Sequence, residues 1–297
     1  MLRRTIMLRA GVDLRSSLAV LVGGRHDPVT RLEPGDAWLG MRTPLGPATL
    51  HLSGGGTRVE AEAWGPGESW AIEHAPDTVG ARDDAFVVDH PVVGPLARRH
   101  HGLRVIRSAR VVALMVRTVL EQKVTGRESK QAWRRLVRKT SEPAPGPRGD
   151  LLLPPDPAVL AAMAYHRFHP FGVERRRAET IIRVARHARR LEETASMPLP
   201  DAYRRLQAIH GIGPWTAALV AGAALGDADA VPVGDYHLPN TVAWALAGEA
   251  RADDDRMLEL LEPFAGQRGR VVRLLKAGGI SAPKFGPRHE IRSIERI

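Results

Sequence analysis

The chain has 297 residues, enough for two domains at roughly 100–200 residues each, and it carries 43 Lys and Arg against 33 Asp and Glu, a formal net charge of +10. Cysteine is absent, which excludes a disulfide framework, thiolate zinc sites, a cysteine nucleophile and a cysteine-held iron–sulfur cluster. No apolar run reaches the ~18 residues that span a bilayer, and the segment after Met1 is too short and too interrupted for a signal peptide. We therefore expect a soluble, cytoplasmic protein with no membrane partner.

The first 95 residues have the pattern of a mixed domain with an antiparallel sheet. Along Arg58–Trp64, apolar and charged side chains alternate, as on the two faces of a half-buried strand. Ala48–Leu52 and Trp38–Arg42 are also strand-like, and Gly54–Gly56 predicts a hairpin turn between Ala48–Leu52 and Arg58–Trp64. No catalytic cluster is recognisable in this part of the sequence, which we interpret as a scaffold.

Helical patterns dominate the rest of the chain. A short helix capped by Asp13 is expected through Leu14–Val22. From about Val92 onward, the residue pattern is that of helices throughout. The apolar stretch Ile106–Gln122 predicts the central buried helix of a bundle, and a Pro- and Gly-rich linker occupies residues 141–149. Further helices are predicted at Glu128–Lys139, Asp156–Tyr165, Glu174–Glu193, Asp201–Ile209, Pro214–Leu225, His237–Ala247, Asp254–Phe264 and Arg268–Ala277.

The charge is divided unevenly along this predicted α+β fold. We expect a sheet-containing domain at residues 1–95, a mostly helical core at 96–280 and a basic tail at 281–297. The first part carries 9 Arg and 12 acidic residues, a net charge of −3, so residues 96–297 carry +13. Such asymmetry indicates an anionic partner for the second part, most simply nucleic acid. A basic surface without a ligand is the alternative that charge alone leaves open.

The segment Leu206–Ala218 has the features of a helix-hairpin-helix motif. An amphipathic helix ends at Ile209, Gly211 and Gly213 follow, and a new helix opens with Pro214, a residue that suits a first helical turn. The glycines permit a sharp turn and the close approach of a phosphate. The backbone amides and the positive end of the second helix then point at an anion.

A Gly- and Pro-rich bend follows at Val231–Asn240, and it contains Asp235, 22 positions past Gly213. An aspartate before a helix is commonly a plain N-cap. The residues alone therefore favour a cap for Asp235 over an active carboxylate. The two roles are compatible.

Together the two motifs resemble those of the HhH-GPD superfamily of DNA glycosylases. Gly211-Ile-Gly-Pro-Trp-Thr-Ala217, followed by Pro232-Val-Gly-Asp-Tyr236, is most similar to the 3-methyladenine DNA glycosylase II (AlkA-like) branch. The resemblance covers most of residues 96–280, and the sheet-containing front end fits an extra domain of that branch. It implies a two-lobed helical core.

The resemblance also implies an activity in base excision repair. A damaged base of double-stranded DNA is flipped out of the duplex, and its N-glycosidic bond is hydrolysed to leave an abasic site. An alkylated base is the expected substrate. The alternatives are a glycosylase for a deaminated, oxidised or bulky base, and a damaged-DNA-binding protein without catalysis.

The resemblance assigns the catalytic role to Asp235. Bifunctional relatives carry a lysine nucleophile where this chain has Trp215, so hydrolysis without strand cleavage is implied. Trp215 and Tyr236 are expected to wall the base pocket, although Trp215 is equally explained as helix packing. Leu219 and Lys276 stand at positions that are often aromatic in that branch, which makes the pocket less suited to cationic methylated purines.

The remaining assignments concern DNA and ions. Gly211, Gly213 and Thr216 are expected to bind the DNA backbone. Leu120–Thr125 resembles the loop that fills the gap left by a flipped base, with Gln122 as one filler; its neighbour Lys123 is either a phosphate contact or a solvated helix-end cation. Arg175–Arg177 are either phosphate contacts or a solvated basic face.

No cofactor is required by this assignment, and no His, Asp or Glu cluster has zinc spacing. The resemblance implies a monovalent cation, Na⁺ or K⁺, bound by main-chain carbonyls of the hairpin. The matching carbonyls belong to Gln207, Ile209 and Ile212. We expect a monomer.

Overall fold

The computed structural model describes residues 1–283, and its N-terminal part is built on a four-stranded antiparallel sheet. The spatial order of the strands is β1-β4-β3-β2. Their bounds are Leu2–Val12 (β1), Thr30–Glu33 (β2), Asp36–Thr43 (β3) and Gly46–Trp64 (β4). The alternation predicted near the end of β4 is confirmed, because Val59, Ala61 and Ala63 are buried against the core.

The hairpin turn predicted at Gly54–Gly56 is wrong. Both predicted strands belong to the single long strand β4, and the glycines lie where it changes partner: Ser53 pairs with β3, whereas Gly56 pairs with Val12 of β1. Gly54 and Gly56 have φ of +104° and +58°. These positive values, which glycine adopts at no steric cost, bend the strand without reversing it.

Two short helices accompany the sheet. The predicted cap is confirmed, since the Asp13 carboxylate accepts the Ser16 amide at 2.6 Å at the start of α1 (Leu14–Leu18). A second helix, α2 (Glu68–Thr78), packs against β4 and β1. The sequence pattern did not predict it, because it contains Pro76 and has only a short buried stripe.

Eleven further α-helices follow within residues 1–283. They are α3 (Val93–Arg99), α4 (Val111–Glu121), α5 (Gly126–Thr140), α6 (Pro157–Ala162), α7 (Arg175–Arg186), α8 (Ala188–Glu192), α9 (Leu199–Gln207), α10 (Pro214–Val220), α11 (Leu238–Ala247), α12 (Asp254–Leu261) and α13 (Arg268–Ala277). A π-helical turn, Ala221–Leu225, extends α10. Within this part of the chain no helix is both long and apolar enough to cross a membrane.

The predicted central helix is α4, whose side chains are mostly buried. It begins at Val111 rather than near Ile106, because Ala109 has a φ of +51° that a helix does not accommodate. The carboxylate of Glu192 accepts the Val111 and Val112 amides at 3.1 and 3.0 Å and so caps the start of α4.

The hydrophobic core has two main parts, as the predicted two-lobed helical core requires, and a third, small cluster of Ala144, Leu151 and Leu153. The larger part joins the sheet to α4, α5, α7 and α10. The smaller part joins α3 to α11, α12 and α13. The C-terminal end of α4 and the hairpin belong to the first part, whereas the Asp235 loop leads into the second. The domain boundaries proposed above stay a prediction, and residues 284–297 of the basic tail lie outside the described residues.

Candidate active site

The predicted helix-hairpin-helix is formed by α9, a tight turn and α10. The turn is closed by a hydrogen bond from the Ile212 amide to the Ile209 carbonyl at 2.9 Å, and Pro214 is the first residue of α10. Ile212 is buried in the larger part of the core, which anchors the turn. Among the described residues, no side chain caps the start of α10. Its first amides are therefore suited to an external anion.

The two hairpin glycines differ in what they require. Gly211 has a φ of +96°, and a Cβ there would lie 2.3 Å from Oγ1 of Thr180 on α7. Gly213 has a φ of −102°, and a Cβ there would meet nothing within 4 Å. The fold itself therefore demands glycine at 211, whereas the surface at 213 is open to a ligand.

The predicted gap-filling loop is fastened to the hairpin. The Gln122 side-chain amide donates to the Gly211 carbonyl and to the Thr216 hydroxyl, both at 3.0 Å. Lys123 follows in a left-handed conformation, with φ of +54°, and is exposed. The structure thus brings these four predicted DNA-contacting residues together. Gln122 and Thr216 are bound to each other, and Lys123 is accessible.

Arg177 differs from the expectation that Arg175–Arg177 form a basic surface. Its side chain is only 5% exposed and donates to the Leu120 carbonyl at 2.9 Å. It also donates to the Gly172 carbonyl at 3.3 Å. Arg177 therefore holds the end of α4 in place and is not available to phosphate. Arg175 is exposed and pairs with Glu179 at 2.7 Å.

Asp235 lies between the hairpin and α11, and both of its oxygens accept hydrogen bonds. Oδ2 accepts the indole N–H of Trp215 at 3.0 Å. Oδ1 accepts the amides of His237 and Leu238 at 2.9 and 3.0 Å. Asp235 therefore caps the amides at the start of α11, as the cap role requires, and is also tied to the second helix of the hairpin. Its catalytic role stays a prediction.

The ionised form of Asp235 is favoured by this arrangement. Burial by itself raises the pKa of the carboxyl, but the donors Trp215, His237 and Leu238, together with the charge of Lys276, outweigh it. The pKa of Asp235 is consequently held below its ordinary value. A partly buried carboxylate that stays ionised can stabilise positive charge developing on a neighbouring group.

The sequence matches no family model and no curated protein. The structure, in contrast, resembles a 3-methyladenine DNA-glycosylase from Archaeoglobus fulgidus, with a TM-score of 0.74 at 18% identity over 93% of this chain and 98% of that chain. It also resembles a Clostridium acetobutylicum 8-oxoguanine glycosylase/lyase, solved in complex with double-stranded DNA. That TM-score is 0.67 at 12% identity, over 93% of this chain and 99% of the other.

The chain has the HhH-GPD DNA glycosylase fold. The likeness extends over the sheet-containing part as well as the helical core, since it covers 93% of the chain. At identities of 18% and 12% it establishes the architecture, whereas the chemistry has to be argued from this chain's own residues.

The predicted pocket residues Leu219, Lys276 and Tyr236 differ in how far their side chains are exposed to solvent. Leu219 is half-buried and follows Trp215 by one turn of α10, so both lie on one face of that helix. Lys276 is exposed on the last turn of α13, where its charge acts on Asp235. Tyr236 is 78% exposed, and its ring meets that of His237 edge to face.

Two aspartates near Asp235 in sequence have structural roles. The Asp227 carboxylate accepts the Tyr203 hydroxyl at 2.7 Å. Asp229 forms an ion pair with Arg268 and accepts its backbone amide at 2.9 Å, which caps α13. Neither carboxylate is free for catalysis.

The monovalent cation expected at the main-chain carbonyls of the hairpin stays a prediction. In residues 1–283 no group of three His, Cys, Asp or Glu could hold a metal ion. The implied monovalent ion uses main-chain oxygens instead. The Ile209 carbonyl already accepts the Ile212 amide, and a carbonyl oxygen has a second lone pair that a cation can take.

Sequence reasoning missed two features of this site. One is the hydrogen bond that makes Trp215 the anchor of Asp235. The other is Glu121, the last residue of α4, on which both Asp235 and Lys276 act electrostatically. The signal in the sequence that could have pointed to Glu121 is its position directly before Gln122.

Proposed function

We propose that this protein is a monofunctional DNA glycosylase of base excision repair. It binds double-stranded DNA and hydrolyses the N-glycosidic bond of a flipped, damaged base, leaving an abasic site. The observation that carries this proposal is the Asp235 carboxylate, kept ionised by Trp215 and two backbone amides beside an open hairpin.

The hairpin supplies the hold on DNA. A phosphate is expected at Gly213, where a Cβ would meet no atom of the described chain within 4 Å, and the uncapped start of α10 attracts its charge. Such contacts are independent of sequence and fix the register of the protein on the duplex. The net charge of +13 on residues 96–297 strengthens them. That the Clostridium enzyme was solved with double-stranded DNA supports the same partner.

Asp235 supplies the chemistry. As the bond between C1′ and the base nitrogen breaks, the base keeps the electron pair and positive charge develops on the sugar. The Asp235 carboxylate stabilises that charge and orients a water molecule. The water oxygen bonds to C1′, and its proton passes to the carboxylate and then to solvent.

Trp215 makes hydrolysis the outcome, because an indole cannot attack C1′ to form a Schiff base. A lyase that uses Lys276 is the competing possibility, since that lysine is exposed and acts on Asp235. Borohydride treatment during turnover traps such an intermediate as a covalent protein–DNA complex. We expect no trapped complex, and trapping that disappears in Lys276→Ala would establish the lyase.

Incubation of the full chain with a panel of alkylated, deaminated and oxidised duplexes, followed by alkali, tests the function. Release of a base leaves an alkali-labile abasic site, so the strand breaks at the lesion. Breakage at one class of lesion, dependent on alkali, is the expected result. Binding to damaged duplexes without breakage on any member would instead favour the non-catalytic damage-binding alternative.

Trp215→Phe is expected to move the acid limb of the pH profile to higher pH. The ring is kept, but the donor to Asp235 is lost, so burial is opposed by fewer hydrogen bonds and the pKa of Asp235 rises. Base release then requires a higher pH for Asp235 to be ionised. Single-turnover release measured as a function of pH, from below the ordinary carboxyl range up to neutrality, tests this. Trp70→Phe on α2 is the control, and an unchanged acid limb in Trp215→Phe contradicts the assigned role.

A further inference from the structure

Two arginines of the central helix reach into the joint between the helical core and the sheet-containing part. Arg110 directly precedes α4, and Arg117 follows it by two helical turns, so both lie on one side of the helix. Nη2 of Arg110 donates to the Gly40 carbonyl of β3 at 2.9 Å, and Nη2 of Arg117 donates to the Val20 carbonyl at 2.7 Å. Each guanidinium therefore binds α4 to the N-terminal part of the chain.

The other nitrogens of both guanidinium groups are buried without an acceptor. Arg110 is 8% exposed and the Arg117 side chain 13%. Among residues 1–283, Nε and Nη1 of both arginines have no hydrogen-bond partner, and the buried Thr30 hydroxyl has none either. The nearest carboxylate of Glu121 lies 3.8 Å from Nε of Arg117, beyond hydrogen-bond distance. Buried donors without an acceptor are costly, and charged donors more so.

The three residues with these unpartnered atoms line one cavity. Its volume is about 10 Å³, close to that of a single water-sized sphere, so it has room for one small species. The wall combines side chains of the N-terminal part with those of α4 and α5. The lining residues are Leu21, Asp27, Val29, Thr30, Arg110, Ala113, Leu114, Arg117 and Trp133.

Asp27 is the one carboxylate of this lining, and both of its oxygens are engaged elsewhere. Oδ1 accepts the Val29 amide at 2.9 Å and the Trp133 indole N–H at 3.0 Å. Oδ2 accepts the Gly23 amide. These bonds hold the loop before β2 against α5. The carboxylate therefore balances only part of the positive charge at the cavity.

The charge and the donors of the cavity favour an anion over water. Two guanidinium groups and one carboxylate leave the lining with a net positive charge. Burial lowers the pKa of Arg110 to about 10, and although Asp27 opposes this, the like charge of Arg117 adds to it. An arginine side chain offers donors and no acceptor. The hydrogens of a water molecule would find no acceptor on either guanidinium, whereas an anion accepts from both and offsets their repulsion.

We propose that this cavity is a binding site for one small monovalent anion of the size of chloride, held by Arg110, Arg117 and Thr30. The anion supplies the acceptor that their buried donors lack and ties α4 to the N-terminal sheet. This site is independent of the glycosylase function, since none of the three residues belongs to the hairpin or to the Asp235 loop.

The melting temperature of the full chain as a function of chloride concentration tests the site. Sodium chloride replaces sodium gluconate, whose anion is too large for the cavity, at constant ionic strength, so general screening of charge is unchanged. A ligand that binds the folded state alone raises the melting temperature with its concentration. We expect a saturating rise of about 2–4 °C.

Arg117→Met identifies where the chloride acts. The variant loses one guanidinium and keeps an unbranched apolar side chain, so the chloride-dependent rise in melting temperature should disappear. Arg189→Met on α8 is the matched control, because Arg189 is exposed and lies outside the cavity; it should keep the rise. An equal rise in the wild type and Arg117→Met would assign the effect to the exposed surface and overturn the site.

Diffraction from wild-type crystals grown in bromide tests the site without a variant, so it also applies where Arg117→Met fails to fold. Bromide scatters anomalously and water does not, so we expect an anomalous peak between Arg110 and Arg117. A cavity without that peak, whether or not it holds a water, overturns the proposal. A bromide peak together with a melting temperature that chloride does not change shows an adventitious ion only, which overturns it as well.

Discussion

Asp235→Asn is expected to abolish base release while the variant still binds DNA. The substitution removes the negative charge that stabilises the sugar in the transition state, and a loss of about 100-fold or more in single-turnover rate is typical for such a group. The hairpin that holds the phosphate backbone is untouched. Release of base from a lesion duplex, measured beside the affinity for an abasic duplex, tests both halves of the prediction.

The stability of Asp235→Asn has to be measured as well, because the carboxylate also serves the fold. An asparagine oxygen can still accept the His237 and Leu238 amides, but its amide group then faces the Trp215 N–H, donor against donor. We expect a destabilisation of about 1–2 kcal/mol, too small to unfold the chain. Turnover that persists in a folded variant would show that Asp235 is a cap alone.

The second large effect is expected at the hairpin, where the two glycines on either side of Ile212 should respond differently to alanine. Gly211→Ala places a Cβ against Thr180 and forces a side chain into a left-handed conformation. The conformational cost is about 1–2 kcal/mol, and the clash adds about 1–3 kcal/mol. The free energy of unfolding should therefore fall by at least about 2 kcal/mol.

Gly213→Ala is the matched partner of this experiment. It should leave the free energy of unfolding within about 0.5 kcal/mol of the wild type, because its Cβ meets nothing within 4 Å. It should nevertheless weaken DNA binding, about 10-fold, since the methyl group stands where the phosphate approaches. Thermal unfolding and binding to an undamaged duplex at fixed salt measure the two effects. Unchanged binding by Gly213→Ala would place the DNA elsewhere.

Much of the architecture could be predicted because its signals are local. The alternation near Val59 and the apolar spacing in α4 report one side of a strand or helix, and neighbours in sequence determine that geometry. The cap at Asp13 and the helix start at Pro214 are equally local. The error at Gly54–Gly56 shows the limit of such signals. Glycines at positive φ suit a turn or a bend, and the pairing of β4 with two different strands decides between them.

The candidate site was predictable to the same extent. The hairpin is found by the spacing of Gly211 and Gly213, and Asp235 could be named in advance through the resemblance that the two motifs carry. The role of Trp215 could not be predicted, since helix packing and a hydrogen bond to Asp235 are both compatible with a tryptophan at this helical position. The sequence indicates a surface cation at Arg177 because two arginines precede it, yet its side chain is buried and holds the end of α4.

The uneven charge, the hairpin and its aspartate were determined by the sequence alone, since composition and short spacing suffice for them. Which groups influence Asp235 was decided by tertiary structure. Glu121, Asp235 and Lys276 are far apart in the chain and act on one another through the packing of α4, the Asp235 loop and α13. Electrostatic influence depends on distance and burial, and neither is written in the order of residues. The +13 half suits a DNA partner, and the packing of its helices decides what surrounds Asp235.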